Sequence, residues 1–167
     1  MSLPRRCSAR ACSVGVLSAL ALAACGFHLQ GRTPLPPALK VSFVDAKDHQ
    51  SDFVQELRKA LLTAGARLTQ ASPDASAVVH VLADQVTRRV LAVSPNNVPV
   101  QYELTYTVRV SVTANGEDLL PAVELANTRD FSFNETALLA KDNEEAILRE
   151  ALAHDLVGVV MRRLSNL

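Results

Sequence analysis

Residues 98–113 alternate between large apolar side chains and residues that are polar or proline. The apolar set starts at Val98 and ends at Val112, while Gln101, Glu103 and Arg109 belong to the other set. Because successive side chains of a strand point to opposite faces of the sheet, this pattern predicts one long β-strand with a buried face and a hydrated face. A chain with such a strand must supply a second layer that covers the apolar face.

Two earlier segments also have the character of strands. Residues 39–44 alternate apolar and polar side chains, and residues 77–93 are rich in β-branched residues. In the second segment apolar side chains occupy both parities around residues 84–89. We therefore expect a bulge there, or a strand whose two halves bury different faces.

The dipeptide Asn115-Gly116 follows the alternating run and is a strong signal for a tight hairpin turn. It predicts a further antiparallel strand from about Pro121 to Phe133. The apolar residues that share one parity of this strand are Val123, Leu125, Phe131 and Phe133.

Two helices are expected on either side of the three long strands. Ser51 or Asp52 can cap the first helix, and Gly65 can end it. Asp142 can cap the last helix, with Glu145 three residues later as in a capping box. The apolar stripes of the two helices are Phe53, Leu57, Leu61 and Ala64, and Leu148, Leu152, Leu156, Val159, Val160 and Leu164.

The order strand, helix, three strands, helix predicts the fold of residues 39–167. We expect an α+β domain, a two-layer sandwich in which two helices pack on one face of a four-stranded, mainly antiparallel sheet. The opposite face of the sheet would then have no helix over it. Residues 25–38 contain glycine and proline and are predicted to be a tether to this domain.

Residues 1–24 are predicted to be an export signal that is removed. Three arginines and no acid precede an apolar run over residues 11–24, which is too short to span a bilayer. The sequence Leu22-Ala23-Ala24-Cys25 resembles the lipobox of bacterial lipoproteins. Cys25 is therefore predicted to carry a diacylglycerol and an N-acyl chain as the first mature residue. The alternative is an ordinary cleavage site that happens to precede a cysteine.

The residue after Cys25 is Gly26 and not aspartate, which for bacterial lipoproteins implies the periplasmic face of the outer membrane. Cys7 and Cys12 would leave with the signal, so the mature chain would hold one thiol, consumed by acylation. No intrachain disulfide is then possible, and the domain must be stable through its core alone.

Charge and aromatic content argue against nucleic acid as a partner. The whole chain has 17 basic and 17 acidic residues, and removal of residues 1–24 leaves 14 basic against 17 acidic. Aromatic residues make up 4% of the chain and tryptophan is absent. A basic field and a stacking platform are therefore both missing.

The residues also offer little for catalysis. His28, His49, His80 and His154 are not spaced as metal ligands, and neither a nucleophile elbow nor a phosphate-binding glycine loop is present. We predict no catalytic residue, no metal and no cofactor other than the lipid on Cys25. His80 and His154 are expected to be hydrogen-bonded or half-exposed side chains of a strand and a helix.

Basic residues on or beside the strands could collect anionic groups if they shared a face. Arg109 lies on the hydrated parity of its strand, whereas Arg129 shares the parity of Val123 and Phe131. A common basic stripe is thus not established, and the alternative is that these side chains are simply solvated. The basic residues in question are Arg88, Arg89, Arg109, Arg129 and Lys141.

Four stretches of the chain together resemble the lipopolysaccharide-assembly lipoprotein family LptE. They are Cys25–Gly31 (CGFHLQG), Tyr102 in the long strand, Arg129–Phe133 (RDFSF) and Ala140–Glu145 (AKDNEE), in that order. The resemblance covers nearly the whole chain. It departs at Gln30, where relatives often have arginine.

The resemblance implies a lipoprotein that plugs the lumen of the outer-membrane β-barrel LptD, assists its assembly and takes part in delivering lipopolysaccharide to the outer leaflet. It implies a binding role for Lys141 toward lipopolysaccharide phosphates, although an exposed lysine before a helix is the alternative. A second basic position of relatives corresponds to residues 94–97, which contain no base here. Arg89 or Arg109 would have to replace it.

Two other functions remain open on the residues alone. The first is a free-standing periplasmic glycolipid-binding lipoprotein, which would need a concave apolar pocket and no barrel. The second is a small periplasmic hydrolase, for which serine, histidine and aspartate exist without a motif that assembles them.

Overall fold

The computed structural model describes residues 35–132 and 138–167, with the backbone alone for residues 138–143. Cys25, the predicted export signal, Phe133 and most of the tether lie outside these residues. Single 3₁₀ turns cover Pro37–Lys40 and Ser72–Asp74. The helices are α1 (Asp52–Thr63) and α2 (Leu138–Leu164), and the strands are β1 (Val41–Ala46), β2 (Arg67–Leu68), β3 (Ala77–Val93), β4 (Pro99–Ala114) and β5 (Glu117–Ser132).

The described strands form one mixed sheet in the order β2-β1-β3-β4-β5. The pairs β1–β2 and β1–β3 are parallel, and the pairs β3–β4 and β4–β5 are antiparallel. The α+β class and the two helices are confirmed, but the prediction of four mainly antiparallel strands is wrong. The two-residue strand β2 is too short to show an alternating pattern. The parallel pairing of β1 arises because α1 lies between β1 and the strands that follow, and a crossover connection of this kind permits parallel strands.

Helix α1 begins and ends where the sequence indicates. The Oγ of Ser51 accepts a hydrogen bond from the Val54 amide at 3.3 Å and so satisfies one of the unpaired N–H groups of the first turn. Gly65 follows the last residues of the helix with φ of +95°, a left-handed conformation that favours glycine.

The alternation of β4 becomes an alternation of burial. All even-numbered residues from Tyr102 to Ala114 are buried, and the odd-numbered residues are half-buried or exposed. Asn115 and Gly116 both have positive φ, so the turn between β4 and β5 is of the tight type that the dipeptide predicts. Strand β5 starts at Glu117, directly after this turn and earlier than expected.

Strand β3 has irregularities of the expected kind, but they lie on either side of residues 84–89 and not within them. The register against β4 shifts between Val81 and Ala83, so Leu82 has no partner and the burial parity reverses there. Up to Val81 the odd residues are buried, whereas from Asp84 to Val90 the even residues share the face of the buried β4 side chains. Within β3, strand β1 pairs only with residues 77–81, which leaves residues 82–93 as an open edge among the described strands.

Helix α2 starts at Leu138, so Asp142 lies inside the helix and the predicted capping box is wrong. Leucine, alanine and lysine at positions 138–141 are strong helix formers, and they extend the helix upstream of the apparent cap. Leu152, Leu156, Val160 and Leu164 of the apolar stripe are buried and join α1 and the buried face of the sheet in one core, whereas Leu148 and Val159 are half-buried. Both helices therefore cover the same sheet face.

Candidate functional site

The structure separates the basic residues that the sequence singles out. Arg89 and Arg109 lie on the face of the sheet opposite the helices, since they pair with Glu103 and Ala83 on the parity away from the core. The Arg89 guanidinium forms an ion pair with Glu103 at 2.9 Å. Arg109 lies six residues beyond Glu103 along β4, a separation of about 20 Å between the two arginines.

Lys141 lies in the first turns of α2, on the side of the sheet that carries the helices. It precedes Glu145 by four residues, a rise of about 6 Å along the helix axis. The side chain of Lys141 lies outside the described residues. The fold thus places Lys141 on one side of the sheet and Arg89 and Arg109 on the other, so these three residues do not form a single site.

A different arginine, Arg88, lies on the helix side. It pairs with Leu104 in the β3–β4 ladder, and its guanidinium carbon is 5.1 Å from the centroid of the Tyr102 ring. One of its nitrogens lies 2.8 Å from a carboxylate oxygen of Glu145 in α2. The Tyr102 ring is in turn stacked on Phe131 of β5, with centroids 5.5 Å apart and planes at 21°. We call these four residues the Arg88 cluster.

Three of the segments that carry the family resemblance meet in the Arg88 cluster. Tyr102 comes from the long strand, Phe131 from the stretch Arg129–Phe133, and Glu145 from the stretch Ala140–Glu145. They are separated by up to 43 residues in the sequence, but Tyr102 and Glu145 both contact the Arg88 guanidinium and Phe131 is stacked on Tyr102. Sequence reasoning found the segments but not Arg88 as their centre. The sequence does contain a signal for Arg88. Val86 and Val90 each lie two residues from it, so the three side chains share one face of the strand.

A network of hydroxyls joins α1 to the sheet close to this site. Tyr106 of β4 is buried, and its hydroxyl accepts a hydrogen bond from the Phe53 amide at 3.2 Å. Ser51 donates from its Oγ to Asp84 of β3 at 2.5 Å. Burial raises the pKa of Tyr106, and a hydrogen bond with Asp84 raises it further. The phenol therefore stays protonated and holds the helix N-terminus on the sheet.

Ion pairs connect α2 to the other elements between Glu145 and Asp155. Arg149 pairs with Asp52 of α1, and this contact raises the pKa of the arginine. His154 lies 2.9 Å from a carboxylate oxygen of Glu56 in α1, and their hydrogen bond lowers the pKa of Glu56. On the sheet side Arg129 pairs with Asp155 at 2.7 Å. Arg88–Glu145 and Arg149–Asp52 hold the turns of α2 in which no described side chain is buried, whereas the pairs of His154 and Asp155 lie beside the buried residues Leu152 and Leu156.

Both histidines that the sequence placed in elements are hydrogen-bonded, as expected. His80 lies 3.0 Å from Asp45 and 3.1 Å from the hydroxyl of Thr113. Within residues 35–132 and 144–167, no three side chains of the histidine, cysteine or carboxylate type are grouped so that they could hold a metal ion. None of the described helices combines the length with the apolar character that a bilayer crossing demands.

A cavity of about 570 Å³ lies between β5 and α2. Its lining mixes the apolar residues Leu125 and Val159 with the polar residues Asn127, His154 and Arg162. A site for several acyl chains would need predominantly apolar walls, and this cavity does not have them.

Comparison with known proteins finds sequences similar to almost the whole of this domain. The family model described as LptE, lipopolysaccharide-assembly, matches residues 38–164. An LPS-assembly lipoprotein LptE of Pectobacterium atrosepticum is 28% identical over 149 residues, covering 89% of this chain and 80% of the relative. The protein of the same name from Yersinia enterocolitica is 25% identical over 150 residues, covering 89% and 72%.

Solved structures of bacterial lipoproteins share the fold. A solution structure of lipoprotein B from Nitrosomonas europaea superposes with a TM-score of 0.68 at 23% identity, covering 84% of this chain and 90% of that one. A crystal structure of the rare lipoprotein B from Shewanella oneidensis gives a TM-score of 0.64 at 19% identity, covering 75% and 94%. At these identities the likeness concerns the fold alone.

Proposed function

Because the chain belongs to the LptE family of lipopolysaccharide-assembly proteins, we propose that it is an outer-membrane lipoprotein that plugs the LptD β-barrel, assists its assembly and helps to deliver lipopolysaccharide to the outer leaflet. In this proposal the protein has no catalytic role and requires no cofactor. Cys25, which lies outside the described residues, carries the acyl chains that hold the domain at the periplasmic face of the outer membrane.

The observation that carries the plug proposal is the uncovered face of the sheet. No described helix lies over the odd-numbered side chains of β4, which are glutamine, glutamate, threonine, arginine and serine between Gln101 and Thr113. Across the strands, the Thr105 hydroxyl lies 2.9 Å from that of Thr128. The lumen of a large outer-membrane barrel is polar, so a plug inside it must present a polar surface of this kind.

The first test is extraction of the tagged, lipidated protein from outer membranes, with identification of what co-purifies in near-equal amount. A large β-barrel in equimolar amount is expected. Recovery of the protein alone, still able to bind lipopolysaccharide, would contradict the plug and favour the free-standing glycolipid-binding lipoprotein.

The contact face can be tested by adding bulk to it. Thr107 lies near the middle of the uncovered face, opposite Gln85 and Ala126. Thr107→Trp should reduce co-purified barrel by about tenfold or more, because a misfitted large side chain in a packed contact costs about 1–3 kcal/mol. Leu62→Trp is the matched control, since Leu62 is exposed on α1. Equal barrel recovery from both variants would show that the uncovered face is not the contact.

A further inference from the structure

Arg88 differs from Arg89 and Arg109 in what surrounds it. Val86 and Val90 lie on either side of it along β3 and on the same face, opposite Tyr106 and Tyr102. Both valines are exposed, at 37% and 46%, although they share the face on which the helices pack. A cation between two exposed apolar side chains is complementary to an amphiphile with an anionic group.

The other face of the same strand has no such arrangement. Arg89 pairs with Glu103, and its neighbour Thr87 lies opposite Thr105. Arg109 lies between Ala83 and Glu124 in the sheet. These two arginines lie among polar or small side chains, which offer no adjacent surface for an acyl chain.

The ion pair between Arg88 and Glu145 is weak. The Arg88 side chain is 45% exposed and that of Glu145 28% exposed, so water screens their attraction. Of the side chains described between Glu144 and Ala151, none is buried. The guanidinium face also contacts the Tyr102 ring, so Arg88 can keep its position when the carboxylate leaves.

We propose that Arg88 binds a phosphate group of lipopolysaccharide and that Glu145 occupies the position of that phosphate when no ligand is bound. Val86 and Val90 contact the apolar part of the ligand. Ligand binding and the docking of the first half of α2 therefore compete for one guanidinium. This inference rests on the proposed function, since it takes lipopolysaccharide as the ligand.

The test uses the lipidated mature protein in non-ionic detergent, with purified lipopolysaccharide and the same lipopolysaccharide with its phosphates removed as probes. Arg88→Gln should weaken binding of the intact probe by about tenfold, the loss expected for one charge-assisted hydrogen bond. Arg89→Gln removes the same charge on the opposite face and should leave binding within about twofold. The dephosphorylated probe should bind all three proteins equally weakly.

The competition between the ligand and Glu145 is tested by substitution of Glu145. Glu145→Gln should tighten binding by about two- to fivefold, because it removes a competing surface ion pair. Glu144→Gln is the matched control, since Glu144 is the exposed neighbour with the same charge. In the wild-type protein, intact lipopolysaccharide should increase amide hydrogen exchange in residues 144–151.

Equal effects of Arg88→Gln and Arg89→Gln, or of Glu145→Gln and Glu144→Gln, would overturn the inference. So would wild-type binding that does not distinguish the two probes. If Arg88→Gln does not fold, the Glu145 and Glu144 pair still decides the question. Because barrel recovery is measured separately, a co-purified barrel with a negative result here refutes the Arg88 site and leaves the plug proposal standing.

Discussion

Single hydroxyl groups determine how α1 meets the sheet. Tyr106 and Ser51 accept from the amides of Phe53 and Val54, two N–H groups that the helix itself leaves unpaired. Both hydroxyls also contact Asp84, so one carboxylate on β3 orients two caps on α1. The alternating pattern predicts that Tyr106 is buried, but it does not indicate that the phenol has a polar partner.

Replacement of Tyr106 by phenylalanine tests this network. The Phe53 amide and Asp84 would each lose a partner, so the free energy of unfolding should fall by about 1–3 kcal/mol, measured by urea denaturation at neutral pH.

The raised pKa of Tyr106 predicts how stability depends on alkaline pH. Below pH 10 the contribution of Tyr106 to the free energy of unfolding is constant. Above pH 10 the tyrosine of the unfolded chain ionises first, so this free energy falls as the pH rises. Tyr106→Phe should show a smaller alkaline loss than the wild type; an identical alkaline profile would contradict the assignment.

At the scale of elements, α2 is divided into two halves with different anchors. From Leu152 to Leu164 its inward side chains are buried in the core, whereas Glu145 and Arg149 hold the earlier turns through ion pairs. Periodicity alone predicted a stripe that starts at Leu148, which is only partly buried. The difference arises because burial depends on what lies opposite the helix.

The two halves of α2 should respond differently when an apolar side chain is shortened to alanine. Leu156→Ala should lower the free energy of unfolding by about 2–5 kcal/mol, because Leu156 is 2% exposed and a cavity would replace its side chain. Ile147→Ala, at a position 65% exposed, should change it by no more than about 0.5 kcal/mol. Urea denaturation of the mature protein in detergent measures both. A large loss for Ile147→Ala would mean that the first half of α2 is anchored by apolar contacts.

At the scale of the molecule, the sheet has two faces with separate uses. The helices and the apolar core occupy one face, and the other presents polar side chains with no described element over it. The two proposed interactions follow this division, with the barrel on the uncovered face and the lipopolysaccharide phosphate on the helix side at Arg88.

Anchoring belongs to the whole molecule and is tested at Cys25. Cys25→Ser should remove acylation, so the protein that is not bound to the barrel should leave the membrane fraction. Its thermal unfolding should stay close to that of the wild type, because residues 35–167 contain the described core. Membrane fractionation with mass analysis of the N-terminal peptide makes the measurement. A serine variant that stays in the membrane without the barrel would contradict anchoring by Cys25.

The sequence by itself determined the elements whose pattern is local. The alternation of β4, the Asn115-Gly116 turn and the cap and stop of α1 each depend on neighbours a few residues away, and each is found as predicted. It also determined the family, through segments in a fixed order. Only the tertiary structure decided that β1 is parallel to its neighbours, that Arg89 and Arg109 lie about 20 Å apart, and that Arg88 meets Glu145. These features depend on strand order and on the bulge at Leu82, which reverses the face of residues 83–90 of β3.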